Sequence, residues 1–225
     1  MNNFLQLKNI SKNFDTEKKV RVLNKLSYNF KLGKVYSLMG PSGSGKSTLL
    51  NLISLIDRPT NGSIKFNNIQ VNFNENNKND IYRAKKIGIV YQQNNLLPDF
   101  TALENLYLAS LSIYDNKKMA MIKAEKLLKK IGLLNRSNHF PSQLSGGESQ
   151  RIAIARAIIN DPDIILADEP TGSLDMKTAK DIFALLNNQK KPNRLIIFAT
   201  HNRFFAKKAD YLLELTDGSI KTTDV

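Results

Sequence analysis

The sequence predicts an α/β fold organised around a phosphate-binding loop, and three features indicate it. Residues 40–48 match the pattern G-x-x-x-x-G-K-[ST], in which a glycine-rich turn surrounds a phosphate with backbone N–H groups. The apolar run at 35–39 predicts a buried strand before this turn, and apolar residues at helical spacing over 46–56 predict a helix after it. Two further apolar runs, at 164–167 and 195–200, are typical of buried parallel strands.

The loop is expected to bind a nucleotide, because its N–H groups and the positive end of the following helix converge on one anion. In this pattern Lys46 is expected to reach the β- and γ-phosphates and Ser47 to ligate Mg²⁺. A chance turn rich in glycine and serine would not require a strand before it and a helix after it. The loop comprises Gly40, Pro41, Ser42, Gly43, Ser44, Gly45, Lys46, Ser47 and Thr48.

Composition limits the other classes of function. With 225 residues, 41% of them hydrophobic, the chain suits one large α/β domain with a helical insertion. The absence of cysteine excludes disulfides and cysteine-based metal sites, and the two histidines provide few ligands for a zinc site. The chain has no apolar run of about eighteen residues and no leader pattern at its N-terminus, so we expect neither a membrane span nor export, and a cytoplasmic location.

The net charge of +13 raises the question of nucleic-acid binding. The basic residues are dispersed, with short clusters at 85–86, 129–130 and 207–208, and the abundance of asparagine and lysine indicates a general compositional bias. A solvated surface, or attraction to an anionic membrane face, explains the charge at least as well. We therefore expect no nucleic-acid partner.

Polar and apolar residues alternate over 4–10 and 22–30, which predicts two half-buried antiparallel strands before the loop. Phe14 lies between them in a polar segment, and an aromatic residue in such a place is usually a packing residue. The asparagine-rich segment 67–80 is predicted to be a mobile loop. Residues 86–91 predict a core strand that ends at Gln92, at the edge where α/β sheets bind ligands.

A helical block is predicted to follow. Thr101 and Glu104 form a capping box that begins one helix, and 117–131 predicts a second. The segment LSGGE at 144–148 contains another capping box and begins a helix that runs to 160. The two glycines in its first turn cost about 1 kcal/mol each relative to alanine, which indicates that some group approaches the backbone there. The start of this helix is a candidate second anion site.

Two carboxylates, Asp168 and Glu169, follow the buried strand at 164–167. Beside a phosphate-binding loop, Asp168 could hold Mg²⁺ and Glu169 could polarise an attacking water molecule; the structural alternative is an acidic turn at a strand end. A helix over 178–188 and the strand at 195–200 come next, and His201 ends that strand. A lone histidine is more often structural than catalytic. Residues 211–220 predict a final hairpin.

Together, and in this order along the whole chain, these motifs resemble those of the ATPase subunits of ABC transporters. The resemblance implies a P-loop NTPase (RecA-like) core with an antiparallel β-subdomain and a helical signature subdomain. It implies a single domain over 1–225, with one lobe in 1–92 and 163–225 and a helical lobe in 93–162. The chain has one loop and one LSGGE signature, which agrees with a head-to-tail homodimer that holds each ATP between the loop of one subunit and the signature of the other.

The resemblance also assigns roles to individual residues. It implies that Phe14 stacks on adenine, where many relatives have tyrosine, and that Asp175 shapes the dimer interface. Asn202 and Ser149 depart from the family pattern at positions outside the main chemistry. The implied signature contacts to the γ-phosphate are Ser145, Gly146 and Gly147. The implied metal ligands are Ser47, Gln92 and Asp168. The implied catalytic residues are Lys46, Gln92, Glu169 and His201.

Within the family, segments 96–106, 138–143 and 167–175 resemble most the ATPases that drive lipoprotein release, in a group that includes macrolide- or peptide-export and cell-division ATPases. This implies separate integral membrane subunits and a peripheral position on the inner face of the cell membrane. Two other classes remain as alternatives. A nucleic-acid-linked ABC ATPase usually carries a coiled-coil insertion or two ATPase domains, and a P-loop kinase would not need the signature or His201.

Overall fold

The computed structural model describes residues 3–15, 19–113 and 116–223. The chain divides into two compact units, the first formed by Met1–Asp80, Leu166–Glu169 and Lys190–Val225 and the second by Ile81–Ile165 and Pro170–Gln189. The strands are β1 (Asn3–Asp15), β2 (Lys19–Lys31), β3 (Val35–Met39), β4 (Asn61–Phe66), β5 (Ile69–Gln70), β6 (Ile87–Val90), β7 (Ile164–Asp168), β8 (Leu195–Ala199), β9 (Tyr211–Thr216) and β10 (Ser219–Thr223). The helices are α1 (Lys46–Ile53), α2 (Asn76–Lys86), α3 (Ala102–Leu111), α4 (Lys117–Lys130), α5 (Gly146–Ile158), α6 (Met176–Asn187) and α7 (Arg203–Ala206).

The first unit contains an antiparallel sheet in the order β2-β1-β4-β5. Strand β1 buries Leu5 and Leu7 at alternate positions, as the period of a half-buried strand requires. A register shift between Leu7 and Ile10 then changes the phase, and Ile10 is buried too. The two predicted antiparallel strands are confirmed, and both are longer than the alternating segments, at 13 residues each.

The first unit also contains β10, β9, β3, β8 and the end of β7, in that order across the sheet. Strand β3 pairs in parallel with both β8 and β9. Every residue of β8 is buried, which explains why its sequence is apolar without alternation. Thr200 N donates to Leu38 O at 3.1 Å, and Glu169 N donates to Ala199 O at 3.0 Å. The carboxyl ends of β3, β8 and β7 therefore lie at one edge.

The second unit packs α3, α4 and α5 around a shared apolar core that includes Leu106, Leu128 and Ile152. Capping boxes begin α3 at Thr101 and α5 at Ser145, as the sequence predicts. Strand β6 lies beside the first residues of β7. A side chain on Gly88 of β6 would overlap the carbonyl oxygen of Ala157, so this glycine allows the strand and α5 to approach closely.

The prediction of a mobile loop over 67–80 was wrong, because this segment contains β5 and the start of α2. Helix α2 buries no residue, so it lacks the apolar periodicity by which a helix is recognised. Local contacts support its first turn: Asn79 N donates to Glu75 O at 3.0 Å, and Lys78 pairs with Glu75 at 2.6 Å. The short helix α7 was also not predicted. Across the described ranges, the helices are all too short or too polar to cross a bilayer.

Candidate functional site

The phosphate-binding loop forms the predicted turn between β3 and α1. Gly40 and Gly45 have φ values of 152° and 99°, which residues with a side chain rarely adopt. A Cβ atom on Gly45 would lie 2.8 Å from Val22 Cγ1, and one on Gly40 would lie 2.7 Å from Ser44 Oγ. Only glycine fits these two positions, so the spacing of the motif is a steric requirement of the loop.

Within the loop, Lys46 Nζ donates to the carbonyl oxygens of Gly40 at 2.8 Å and Pro41 at 2.9 Å. Helix α1 begins at Lys46 with no side-chain cap and no acidic residue in its first turn. The hydroxyl of Ser44 is buried and has no hydrogen-bond partner. An uncapped helix start beside a buried hydroxyl and a lysine is suited to an anion that accepts hydrogen bonds.

Glu169 follows the end of β7 and has the features of a functional residue. Its φ is 44°, a strained conformation that is uncommon for a residue with a side chain and that recurs at active sites. Its carboxylate is only 13% exposed, and Oε2 is buried without a hydrogen bond. His201 Nδ1 lies 3.0 Å from that oxygen, but the contact lacks hydrogen-bond geometry, and the imidazole is 71% exposed. A buried carboxylate oxygen that lacks a donor indicates a place for a ligand or water.

The first unit brings several of the predicted residues to one edge. Asp168 ends β7, Glu169 bonds to Ala199 of β8, and Thr200 bonds to Leu38 of β3, which leads into the loop. Phe14 pairs with Val20 of β2, two residues from the valine that contacts the loop at Gly45. Its ring is 40% exposed, and Lys12 Nζ lies 5.0 Å from the ring centroid. Phe14 is therefore available to a flat ligand.

In the second unit, Asp175 and the LSGGE residues from Ser145 to Glu148 line a shallow concavity of about 360 Å³. Ser145 caps α5, and its hydroxyl accepts from Glu148 N at 3.2 Å. Asp175 caps α6 by accepting from the N–H groups of Lys177 and Thr178. The Thr178 hydroxyl and these N–H groups lower the pKa of the Asp175 carboxyl. The concavity is lined by Ser145, Gly146, Gly147, Glu148, Arg151, Ser173, Leu174, Asp175 and Thr178.

Gln92 also belongs to the second unit, two residues beyond β6, and its side chain is exposed. Within the described ranges, no group of three or more histidine, cysteine, aspartate or glutamate side chains is placed to hold a metal ion. Ser47 and Asp168 supply a hydroxyl and a carboxylate from the first unit. These hard oxygen donors fit an Mg²⁺ ion that takes its other ligands from phosphate and water.

The family described as ABC transporter matches residues 23–172, which include the loop, the signature and the acidic pair. The chain belongs to the ABC transporter family.

Two relatives match nearly the whole of this chain. It is 43% identical to the lipoprotein-releasing system ATP-binding protein LolD of Rickettsia bellii, over 97% of this chain and 98% of that protein. It is 44% identical to LolD of Wigglesworthia glossinidia brevipalpis, over 98% of each.

Solved structures also support membership of the ABC transporter family. The dimeric ATP-binding cassette MJ0796, bound to ADP and Pi in a post-hydrolysis state, has a TM-score of 0.90 and 38% identity over 98% of each chain. A second dimeric structure of MJ0796, described as a bacterial ABC transporter cassette, has the same TM-score and 39% identity. The predicted fold class, a P-loop NTPase with β and helical subdomains, is confirmed.

Arg156 of α5 was not predicted from the sequence as a residue that supports the site. Its guanidinium donates to Asn95 O at 2.6 Å and Asn94 O at 2.9 Å, and so holds the segment that follows Gln92. Burial lowers the pKa of Arg156. Asn95 has φ 46°, in the left-handed region that residues with side chains adopt infrequently. The signal in the sequence is a single arginine within the otherwise apolar run from Ile152 to Ile159.

Proposed function

We propose that this chain is the ATP-hydrolysing subunit of a transporter that releases lipoproteins from the membrane. The observation that carries the proposal is the match of 43–44% identity, over nearly the whole of both chains, to proteins named as ATP-binding components of a lipoprotein-releasing system. In this proposal the chain is one domain over 1–225 with lobes divided at 92 and 163, and it lies at the inner face of the membrane beside separate integral membrane subunits.

ATP is proposed to bind at the loop of the first unit. Lys46 leaves the carbonyl oxygens of Gly40 and Pro41 and donates to the β- and γ-phosphates, while the N–H groups at the start of α1 surround them. Phe14 offers its exposed ring to adenine. Ser47 and Asp168 would hold Mg²⁺, which when bound neutralises phosphate charge. The predicted contacts of Gln92 with Mg²⁺ and with the attacking water stay predictions.

Hydrolysis is a transfer of the γ-phosphoryl group to water. Glu169 Oε2 lacks a donor, so it is free to accept a hydrogen bond from a water molecule and orient that molecule towards the γ-phosphate. His201, exposed beside Glu169, would donate to a γ-phosphate oxygen. The water oxygen forms a bond to phosphorus, the bond to the β-phosphate oxygen breaks, and ADP and phosphate leave.

The signature residues are proposed to complete the site in a homodimer. Ser145, Gly146 and Gly147 line an open concavity whose helix start can donate to an anion. In a head-to-tail pair these donors approach the γ-phosphate bound by the partner copy, and Asp175 shapes the interface. Closure on ATP and opening after hydrolysis would then move the membrane subunits.

The chemistry is tested with Glu169→Gln, which keeps the size of the side chain and removes its charge. Hydrolysis is expected to fall by about 10²- to 10⁴-fold, while ATP still binds and an ATP-dependent dimer accumulates in light scattering. The control is Glu75→Gln, which removes an exposed carboxylate paired with Lys78. Hydrolysis at the parent rate in Glu169→Gln would show that another group orients the water.

The transport role is tested with the chain co-purified with its membrane subunits and reconstituted in proteoliposomes that contain an acylated lipoprotein. We expect ATP-dependent release of the lipoprotein to a soluble acceptor, and none with Glu169→Gln. Hydrolysis without release of lipoprotein would leave the ATPase assignment standing and overturn the assigned cargo.

A further inference from the structure

The outward side of α4 combines lysines with exposed apolar side chains. Helix α4 buries Ala120, Ala124 and Leu128 against the second unit. On the opposite side, Met119 is 59% exposed and Ile122 is 37% exposed. At about 100° per residue, six of the eight exposed residues of α4 fall within an arc of about 120°. This surface, called the α4 face, consists of Lys118, Met119, Ile122, Lys126, Lys129 and Lys130.

The lysines of the α4 face carry uncompensated charge. Among the residues that the structure describes, Lys118, Lys126, Lys129 and Lys130 form no ion pair. Glu125, at one edge of the arc, is the single acidic residue of α4.

Helix α2 provides a contrast within the same chain. It also carries several basic residues, but Lys78 pairs with Glu75 at 2.6 Å and Lys86 pairs with Asp163 at 2.8 Å. Two of the three lysines of α2 are thus paired with carboxylates, whereas all four lysines of the α4 face lack an ion pair among the described residues.

We propose that the α4 face binds the anionic headgroups of a lipid bilayer. A cluster of lysines on the exposed side of a helix is attracted to anionic lipid headgroups, and each lysine near the surface adds to the attraction. Met119 and Ile122, exposed among these lysines, can enter the headgroup layer. The α4 sequence contains no aromatic residue to stack on bases and no arginine to form paired bonds with phosphates, so a nucleic acid fits the face less well. This inference uses α4 alone and does not depend on the proposed transport function.

The first test measures sedimentation of the full chain with vesicles of phosphatidylcholine, with and without phosphatidylglycerol. Binding is expected only with phosphatidylglycerol, and is expected to weaken as salt is added. The variant with Lys118, Lys126, Lys129 and Lys130 changed to glutamine is expected to bind about 100-fold more weakly. Glutamine has nearly the helix propensity of lysine, so the fold is retained.

The matched control changes four other exposed lysines, Lys8, Lys25, Lys207 and Lys221, to glutamine and so has the same net charge. It is expected to bind the vesicles within about threefold of the parent chain. Equal losses of vesicle binding in the two variants would mean that the overall charge causes the attraction. That result would overturn the proposal that the α4 face binds the bilayer. Absence of binding to phosphatidylglycerol vesicles at low salt would overturn it as well.

The second test places a single fluorescent reporter on the face, since the chain contains no tryptophan. Ile122→Trp is expected to shift its emission to the blue with phosphatidylglycerol vesicles and to be quenched by brominated lipid. Ile69→Trp, at a position that is 73% exposed on β5, is expected to show neither change. Identical responses from the two reporters would contradict the proposal. So would a single-stranded oligonucleotide that displaces the vesicles and binds the α4 face more tightly than they do.

Discussion

Two neighbouring glycines at the start of α5 have different surroundings. A Cβ atom on Gly147 would lie 2.6 Å from Thr178 Cγ2, whereas one on Gly146 would have only Leu174 Cδ2, at 3.6 Å. The close approach that the sequence indicated is thus made at Gly147 by a side chain of the same unit. At Gly146 the space is open to the concavity, so the glycine there leaves room for a ligand.

At the residue scale, we expect Gly147→Ala to lower the free energy of unfolding by about 1–2 kcal/mol, because the added methyl group overpacks against Thr178. Combining it with Thr178→Ser removes Cγ2 but keeps the hydroxyl, and is expected to restore most of the loss. Gly146→Ala is the control and should stabilise α5 by up to about 1 kcal/mol. Urea unfolding measures all three. Equal stabilities of Gly147→Ala and Gly146→Ala would contradict this account.

At the scale of elements, Asp210 joins the start of β9 to β3. Val35 N donates to Asp210 Oδ2 at 2.7 Å, Asp210 N donates to Val35 O at 2.9 Å, and Lys190 Nζ lies 2.7 and 2.8 Å from the two carboxylate oxygens. Burial raises the pKa of Asp210, but the bonds from Lys190 and Val35 outweigh it, so the pKa is lowered overall. The ionised carboxylate therefore stabilises the pairing of these two strands.

This contact predicts a pH dependence of stability. Because the folded pKa lies below the unfolded value of about 3.9, the stabilisation is present above that value and is lost as the pH falls through the folded pKa. Asp210→Asn is expected to lower the free energy of unfolding by about 1–2 kcal/mol at neutral pH. The difference should narrow as the pH falls below the unfolded value, because the unfolded carboxylate is protonated first and the folded one only as the pH passes its lowered pKa.

Chemical denaturation at several pH values measures this difference. Lys190→Gln is the comparison, and should lose less than Asp210→Asn because the bond from Val35 N remains. A difference between Asp210→Asn and the parent that stays constant from pH 7 to pH 3 would show that the charge of Asp210 does not stabilise the strand pair.

At the scale of the whole molecule, the proposed head-to-tail homodimer predicts complementation between two inactive variants. Lys46→Ala removes the loop lysine, and Ser145→Arg blocks the signature of the same chain. In a mixed dimer one site contains both defects and the other contains neither, so an equal mixture is expected to recover about a quarter of the parent hydrolysis.

The control for complementation is the double variant Lys46→Ala with Ser145→Arg, mixed with Lys46→Ala alone. Every pairing in that mixture has a defective loop, so phosphate release is expected to stay at the background of either variant. If the two single variants fail to complement although each still folds and forms dimers, each ATP is completed within one chain and the head-to-tail arrangement is wrong.

Features that neighbouring residues encode can be predicted from the sequence alone. The loop is a contiguous motif, and the buried strands are continuous apolar runs. Helices α3 and α5 begin at capping boxes, whose two members are three residues apart in the sequence. The order of these motifs along the chain was sufficient to indicate the family and the fold class. Each of these signals is local, because it depends on hydrogen bonds or on burial within one element.

Contacts between residues that are distant in the sequence become visible only in the tertiary structure. The bonds from Arg156 to the carbonyl groups after Gln92 span about sixty residues, and the contact of His201 with Glu169 needs two adjacent strands. Helix α2 has no buried side to mark it, so local bonds and ion pairs sustain it without apolar periodicity. Likewise, the sequence shows that α4 is rich in lysine, but which of these lysines lack partners depends on every element packed nearby. Such contacts depend on packing in three dimensions, which no local pattern records.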